Sequence, residues 1–197
     1  MLSNFTAQFA HPQGALGRFV GTIMALKNQE RNLWAISLLN LQRRDHVLEI
    51  GFGPGWAIQQ IAARTTPGFV TGVDPSEVMV AQASARNAAA IRAGRVKLHH
   101  GPNAPLPYAE AHFDKVLAVN SMQFWPEALA GLQEVRRVTK PGGLVVIAIQ
   151  PMWVKTGDEA RLVGDELFAQ LTKAGFQQVR LETLPLKPLV LSGIGVT

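Results

Sequence analysis

Apolar residues along the chain recur at two spacings, one typical of helices and one typical of buried strands. Short segments that predict strands, most of them apolar runs, lie at residues 47–50, 69–74, 96–100, 115–120 and 144–150. Helical patterns lie between most of them, at WAIQQIAART, from Pro75 to about Ala93, and at ALAGLQEVRRVT. Because strands alternate with helices, the pattern predicts a doubly wound α/β sheet, mostly parallel, with helices on both faces.

The segment before this alternation has a helical pattern. Apolar residues recur at helical spacing within residues 16–26, and again from Leu33 through Ile36 and Leu39 to about residue 42. We therefore expect a cover of two helices over residues 1–44.

The segment after it changes pattern. A helical stretch beyond residue 158 stops at Gly175, and two strand-like runs, QVRLETL and PLVLSGIGV, follow with a short turn between them. A crossover helix does not fit in that turn, so residues 151–197 are expected to end in an antiparallel β-hairpin.

Composition narrows the possibilities further. A chain of 197 residues fits one domain, 1–197, and the absence of cysteine excludes disulfides and thiolate metal sites. The net charge of +5 would attract anions, but the 19 basic residues are scattered, so we expect a solvated surface and no nucleic-acid partner. Neither a signal peptide nor an apolar run long enough to span a membrane is visible, which predicts a cytoplasmic protein with no stable membrane insertion. The sequence leaves the oligomeric state open.

One turn has the residues of a nucleoside site. In VLEIGFGPG, the glycines Gly51, Gly53 and Gly55 separate the first predicted strand from a helix, and Asp74 ends the second strand. Glycines let the backbone approach a ligand at this edge of a parallel sheet, and a carboxylate after the second strand can accept hydrogen bonds from ribose hydroxyls. A dinucleotide turn would have a further glycine where Trp56 stands, which counts against a nicotinamide cofactor.

Four segments in order resemble the motifs of class I S-adenosylmethionine-dependent methyltransferases: VLEIGFGPG, VDPSEVMV, GPNAPLPYAEAHFDKVLAVN and LQEVRRVTKPGGLVVIA. The likeness covers about residues 45–150 and is nearest to the small-molecule branch that includes quinone-biosynthesis enzymes. It implies a Rossmann-like, seven-stranded sheet with an antiparallel C-terminal strand, S-adenosylmethionine as cofactor and S-adenosylhomocysteine as product.

The resemblance also implies roles for individual residues. Glu49 and the backbone of residues 51–55, including Phe52, would lie beside the methionine end of the cofactor. Asp74 would hold the ribose, Pro75 and Met79 would pack on the adenine, and Asn120 would offer its backbone carbonyl to the cofactor's amino group.

One position departs from the family pattern. Members commonly have Gly-Asp-Ala after the third strand, where the aspartate accepts from the adenine amino group, but this chain has Gly101-Pro102-Asn103. Proline lacks an N–H group, so the contact would fall to the Asn103 side chain and the Ala104 amide, unless Asn103 only forms a turn. We expect cofactor affinity weaker than usual.

The acceptor side is less defined. Phe124, Trp125 and Trp153 follow the fourth and fifth strands and could line an apolar or aromatic acceptor pocket, or simply pack in the core. His11 is the candidate for a catalytic base, with Phe9 as its neighbour, and no metal site is expected. The identity of the acceptor and of its O, N or C atom stays open.

Three functions remain compatible with these patterns. The favoured one is methyl transfer to a small molecule by in-line attack. The others are a nicotinamide-dependent oxidoreductase and a protein that binds S-adenosylmethionine without catalysis.

Overall fold

The computed structural model describes residues 29–187 and 189–197. The strands are β1 (His46–Ile50), β2 (Phe69–Asp74), β3 (Val96–His100), β4 (Phe113–Val119), β5 (Thr139–Ile149), β6 (Gln177–Leu184) and β7 (Val190–Val196). The helices are α1 (Gln29–Leu38), α2 (Trp56–Arg64), α3 (Glu77–Arg86), α4 (Ala88–Arg92), α5 (Ala128–Val138) and α6 (Gly157–Lys173), with a 3-10 turn at Met122–Phe124.

The seven strands form one sheet in the order β3-β2-β1-β4-β5-β7-β6. Neighbouring strands from β3 to β5 are parallel, whereas β7 runs antiparallel to both β5 and β6. The predicted Rossmann-like sheet and its C-terminal hairpin are therefore confirmed. The reversed strand lies inside the sheet, and β6 forms the edge.

Helices bury both faces of the sheet, which explains why the central strands are apolar at successive positions. On one face, Leu48 belongs to a core cluster that includes Leu132 of α5 and Leu171 of α6. On the other face, the adjacent Val47 belongs to a cluster with Ile36 of α1 and Ile61 of α2. Successive side chains of β1 thus point into different cores.

The helix predicted to run from Pro75 to Ala93 differs in two ways. It begins at Glu77, because the Ser76 side chain accepts a hydrogen bond from the Met79 N–H and caps the first turn. It is also interrupted at Asn87, where α3 ends and α4 begins. Pro75 therefore lies before the helix rather than in its first turn.

The predicted N-terminal cover is described only in part. Residues 16–26, the first predicted helix, lie outside the described residues. In α1, Ile36 is buried as expected, as is Leu39 just after the helix, but Leu33 is exposed, so the predicted apolar stripe is wrong at that position. Within residues 29–187 and 189–197, no helix is both long and apolar enough to cross a membrane.

Candidate active site

The glycine turn between β1 and α2 lies at the carboxyl edge of the sheet. Gly51, Gly53 and Gly55 have φ values of 73°, 52° and 75°, a left-handed conformation that side-chain-bearing residues rarely adopt. Gly55 is also the N-cap of α2. The turn therefore requires glycine for its backbone path, whether or not a ligand is bound.

The space beside each glycine differs, and only one of them faces an opening. A Cβ on Gly51 would lie 2.4 Å from the Ser121 Cβ, and one on Gly55 would lie 2.5 Å from the Ala83 Cβ. A Cβ on Gly53 would meet no atom of the described residues within 4 Å. The missing side chains of Gly51 and Gly55 thus make room for the protein itself, whereas Gly53 is open on that side. The contact of all three backbones with a cofactor stays a prediction.

Three side chains that the sequence did not single out hold the turn in place. Asn87 Nδ2 donates to the Gly55 carbonyl at 3.0 Å, and Arg86 Nε donates to the Pro54 carbonyl at 2.9 Å. Ser121 Oγ donates to the Ile50 carbonyl at 2.8 Å. The signal for Asn87 was available, because asparagine is a poor helix former inside an otherwise alanine-rich helical run.

Asp74 links the ends of β1 and β2. Its Oδ2 accepts the Gly53 N–H at 2.8 Å, and its Oδ1 accepts the Ser76 N–H at 2.9 Å. The residue is only 5% exposed. These bonds fix the orientation of the carboxylate at the end of β2.

Glu49 is buried beside Asp74 and is held less completely. It is 3% exposed, and burial, followed by the negative charge of Asp74, raises its pKa well above the usual value. A hydrogen bond from the Ile58 backbone opposes that shift, but the buried Oε2 has no hydrogen-bond partner in the part of the chain that the structure describes. A buried carboxylate with an unpartnered oxygen is costly, and a cationic ligand group would offset that cost.

The other residues expected around the adenosine have mixed environments. Met79 is buried and Pro75 is exposed. The His100 Nε2 lies 2.9 Å from the Pro75 carbonyl, a contact that the sequence did not indicate. Phe52 is buried in the core, where its ring fills the space beside Gly72 of β2. Phe52 can thus contribute its backbone to a ligand site, while its side chain is used in packing.

Two asparagines lie on loops at the same edge. Asn120 Oδ1 accepts the Gln150 N–H at 2.7 Å, which joins the ends of β4 and β5 and leaves the predicted cofactor contact to the Asn120 backbone. Asn103 precedes Ala104 in the β3–β4 loop, and its Nδ2 lies 2.8 Å from where a Cβ of Gly131 would be. The Asn103 amide therefore lies against α5.

The aromatic residues expected around the acceptor divide into two kinds. Trp125 is partly buried against the core cluster that includes Leu132, so core packing accounts for it. Phe124 and Trp153 are 45% and 59% exposed, and Met152, which the sequence did not indicate, is 72% exposed.

Phe9 and His11 lie outside the described residues. Within residues 29–187 and 189–197, no cluster of three or more histidines and carboxylates could hold a metal ion.

The arrangement fits the cofactor implied by the resemblance. The Glu49 oxygen without a partner among the described residues suits a positively charged methionine end, and the open side of Gly53 leaves room for a ligand at the backbone. Asp74 places a fixed, buried carboxylate at the end of β2, the residue type that a ribose contact needs. All three lie at the carboxyl edge of the sheet, where parallel α/β folds bind ligands.

Comparison with known proteins agrees with this geometry. The family described as "Methyltransferase domain" matches residues 47–143. The chain is 33% identical over 169 residues to YdaC of Bacillus subtilis, named as an uncharacterized methyltransferase, and the match covers 85% of this chain and 91% of that relative.

Two further matches point to the same kind of protein. The chain is 32% identical to the ubiquinone/menaquinone biosynthesis C-methyltransferase UbiE of Geotalea daltonii, over 58% of this chain but 49% of that relative. The structure of a SAM-dependent methyltransferase from Aquifex aeolicus superposes with a TM-score of 0.68 at 18% identity, over 83% of this chain and 88% of that one, which supports the fold.

Proposed function

Because the chain belongs to the class I S-adenosylmethionine-dependent methyltransferases, we propose that it methylates a small apolar or aromatic acceptor. The observation that carries the acceptor class is the group of exposed apolar side chains after β4 and β5. Phe124, Met152 and Trp153 lie on the loops that follow the strands, at the same edge as the cofactor turn. The similarity to UbiE, named for ubiquinone and menaquinone biosynthesis, supports an acceptor of this kind.

The cofactor supplies the reactive group. When bound, S-adenosylmethionine presents a methyl group on positively charged sulfur, which an acceptor atom takes, leaving S-adenosylhomocysteine and releasing the acceptor's proton. The work left to the protein is to bind, to align the acceptor and to exclude water.

Buried residues would hold the cofactor. The carboxylate of Glu49 would neutralise the cationic methionine end, and Asp74, already fixed by the Gly53 and Ser76 amides, would accept from the ribose hydroxyls. Asn103 and the Ala104 amide would face the adenine, and the Asn120 carbonyl would face the amino group of the methionine part. Because Asp74 is held before the ligand arrives, little ordering cost remains for binding.

Exposed residues would hold the acceptor. Large apolar side chains at the surface lose unfavourable contact with water when an apolar molecule covers them, which favours a planar or hydrocarbon-rich acceptor over a charged one. Such contacts can bring the acceptor atom into line with the sulfur–methyl bond without a dedicated base.

The test is a turnover assay with two acceptor sets. Purified protein with S-adenosylmethionine is incubated with demethylated quinols and other apolar aromatics in one set, and with charged amines such as phosphoethanolamine in the other. We expect S-adenosylhomocysteine to form with members of the first set. Turnover confined to the charged amines would overturn the proposed acceptor class.

A further inference from the structure

The loop between β3 and β4 is long and has no helix of its own. It starts at the sheet edge and must pass β2 and β1 to reach β4, and it carries Asn103 and Ala104 near its beginning. A loop without regular structure needs side-chain contacts to hold one conformation. Two charged residues of α5 provide them.

Glu134 and Arg137 bind the backbone of the loop from the same helix. Glu134 Oε2 accepts the Leu106 N–H at 2.8 Å, while Arg137 donates to the Leu106 carbonyl at 3.1 Å and to the Tyr108 carbonyl at 2.8 Å. Two of these bonds satisfy the N–H and the carbonyl of Leu106, whose side chain is buried in the core, and the third holds Tyr108.

The two residues also bind each other. Arg137 Nε lies 2.7 Å from Glu134 Oε1, and Arg137 donates to Glu134 Oε2 at 2.9 Å, a two-point contact that aligns both side chains. Their hydrogen bond lowers the pKa of Glu134 and raises that of Arg137, so both stay charged at neutral pH. The planar guanidinium can reach two loop carbonyls while it keeps the carboxylate, which a lysine could not do.

A third contact lies one turn earlier on the same helix face. Gly131, Glu134 and Arg137 are spaced three residues apart, so they follow one side of α5. A Cβ on Gly131 would lie 2.8 Å from Asn103 Nδ2 and 2.5 Å from the Trp125 ring. The nitrogen of the Asn103 amide therefore lies against this face of α5.

We propose that Glu134 and Arg137 are positioning residues for adenine recognition. They fix the loop so that the Asn103 amide presents its oxygen, and Ala104 its N–H, to the adenine edge. This inference rests on the cofactor placement in the proposed function, and it adds that selectivity for adenine depends on a helix that does not touch the ligand. If the loop loosens, the amide can turn and present its nitrogen instead.

The experiment compares two product analogues that differ only at the adenine edge. S-Adenosylhomocysteine has an amino group and a ring nitrogen acceptor there, whereas S-inosylhomocysteine has an oxo group and a ring N–H donor. Calorimetry gives the ratio of the two affinities for each protein. We expect the wild type to prefer the adenosyl ligand, and Arg137→Gln to reduce that preference by about tenfold, the value of one well-placed hydrogen bond.

Arg136→Gln is the matched control. It makes the same charge change one residue away, and it also removes one side-chain bond to a backbone carbonyl, that of Gly175 at 2.9 Å. General destabilisation would lower the melting temperature in both variants without changing the affinity ratio. An unchanged ratio in Arg137→Gln would therefore overturn the proposal.

Two further measurements keep the outcomes separate. If Arg137→Gln does not fold, Arg137→Lys tests the same point. It keeps the positive charge but loses the planar guanidinium that reaches two carbonyls, so its preference for the adenosyl ligand over the inosyl ligand should also fall. Inactivity with every apolar acceptor would count against the proposed acceptor class and would leave the ligand ratio unaffected. An altered ratio is thus specific to the positioning role.

Discussion

The cofactor side and the acceptor side of the candidate site consist of different kinds of residues. On the cofactor side, Glu49 and Asp74 are almost fully buried, and Asp74 accepts two backbone N–H groups. On the acceptor side, Phe124, Met152 and Trp153 are large, apolar and open to solvent. One half is rigid and polar without any ligand, while the other has unfilled apolar surface.

This difference teaches where specificity can change. A buried carboxylate held by backbone groups tolerates few substitutions, because each one leaves a donor unpaired. Exposed loop residues can be exchanged with little cost in stability, so the same core can serve different acceptors. The following predictions test whether the two halves differ in the way that burial suggests.

Replacement of Asp74 should have the largest effect. Asp74→Ala leaves the Gly53 and Ser76 N–H groups without their acceptor and removes the predicted ribose contact. We expect affinity for S-adenosylhomocysteine to fall by about 100-fold and stability to drop by about 2 kcal/mol, measured by calorimetry and urea unfolding. Asp74→Asn, which keeps one acceptor oxygen, should lose less in both. If wild type and Asp74→Ala bound S-adenosylhomocysteine equally well, Asp74 would not be part of the cofactor site.

Gly51 and Gly53 form a matched pair, because both have left-handed backbones but only Gly53 faces open space. Gly51→Ala pushes a methyl group into Ser121 and should cost about 3 kcal/mol of stability, from overpacking and backbone strain together. Gly53→Ala should cost only about 1 kcal/mol yet weaken S-adenosylhomocysteine binding by about tenfold, since the methyl group occupies the opening. Thermal unfolding and calorimetry measure the two effects. If Gly51→Ala weakened ligand binding more than Gly53→Ala did, the ligand would not lie beside Gly53.

Glu49 gives a pH-dependent test. Because its folded pKa is raised, the folded protein binds the proton more tightly than the unfolded chain, so stability falls as pH rises from the unfolded pKa toward the folded one. Glu49→Gln should remove that fall, so its melting temperature relative to wild type should increase as the pH rises from the usual carboxyl pKa toward the raised pKa of the folded state.

The same substitution should weaken S-adenosylmethionine binding, by about tenfold, because the cation loses its counter-charge. In the wild type, binding of the cation should lower the pKa of Glu49 and release a proton, so affinity should increase with pH across the same range. Calorimetry in buffers with different ionisation enthalpies measures that proton. Its absence would show that Glu49 does not face the cationic end.

The smallest effect on stability is expected on the acceptor side. Trp153→Ala should change the free energy of unfolding by less than about 0.5 kcal/mol, because the side chain is largely exposed, while KM for an apolar acceptor rises several-fold. Leu162→Ala, on the exposed surface of α6, is the control and should change neither quantity. A large loss of stability in Trp153→Ala would show that Trp153 packs in the fold and is not a free surface for the acceptor.

Most of the fold was predictable because the strands carry unambiguous signals. β2 and β3 begin and end at the residues predicted, since glycine or proline lies close to both ends of each strand. The break at Asn87 was not predicted, because one asparagine is a weak signal inside a long alanine-rich run, and its tertiary bond to the Gly55 carbonyl is not visible in the sequence. Leu33 shows the same limitation, since periodicity cannot say which face of α1 the sheet will cover.

The cofactor half was also easier to predict than the acceptor half. Glu49, the glycines and Asp74 lie on short segments where residue type and position are linked by geometry, and the structure brings them together. Ser121 was missed because its role, a bond to the Ile50 carbonyl, joins two segments 71 residues apart. Met152 was missed because an exposed methionine has no pattern that distinguishes it from any surface residue.

The position of β7 has a consequence for synthesis of the chain. β6 is made before β7 but has no partner until β7 inserts between it and β5, with Gly195 opposite Val145. A nascent chain that has reached only Leu184 therefore has β5 paired on one side only, with β4, and β6 without a partner strand. Their open edges can pair with other chains. The seven-stranded sheet is complete only after β7 has been synthesised. Chaperones would therefore have their main opportunity to bind between the synthesis of β6 and that of β7.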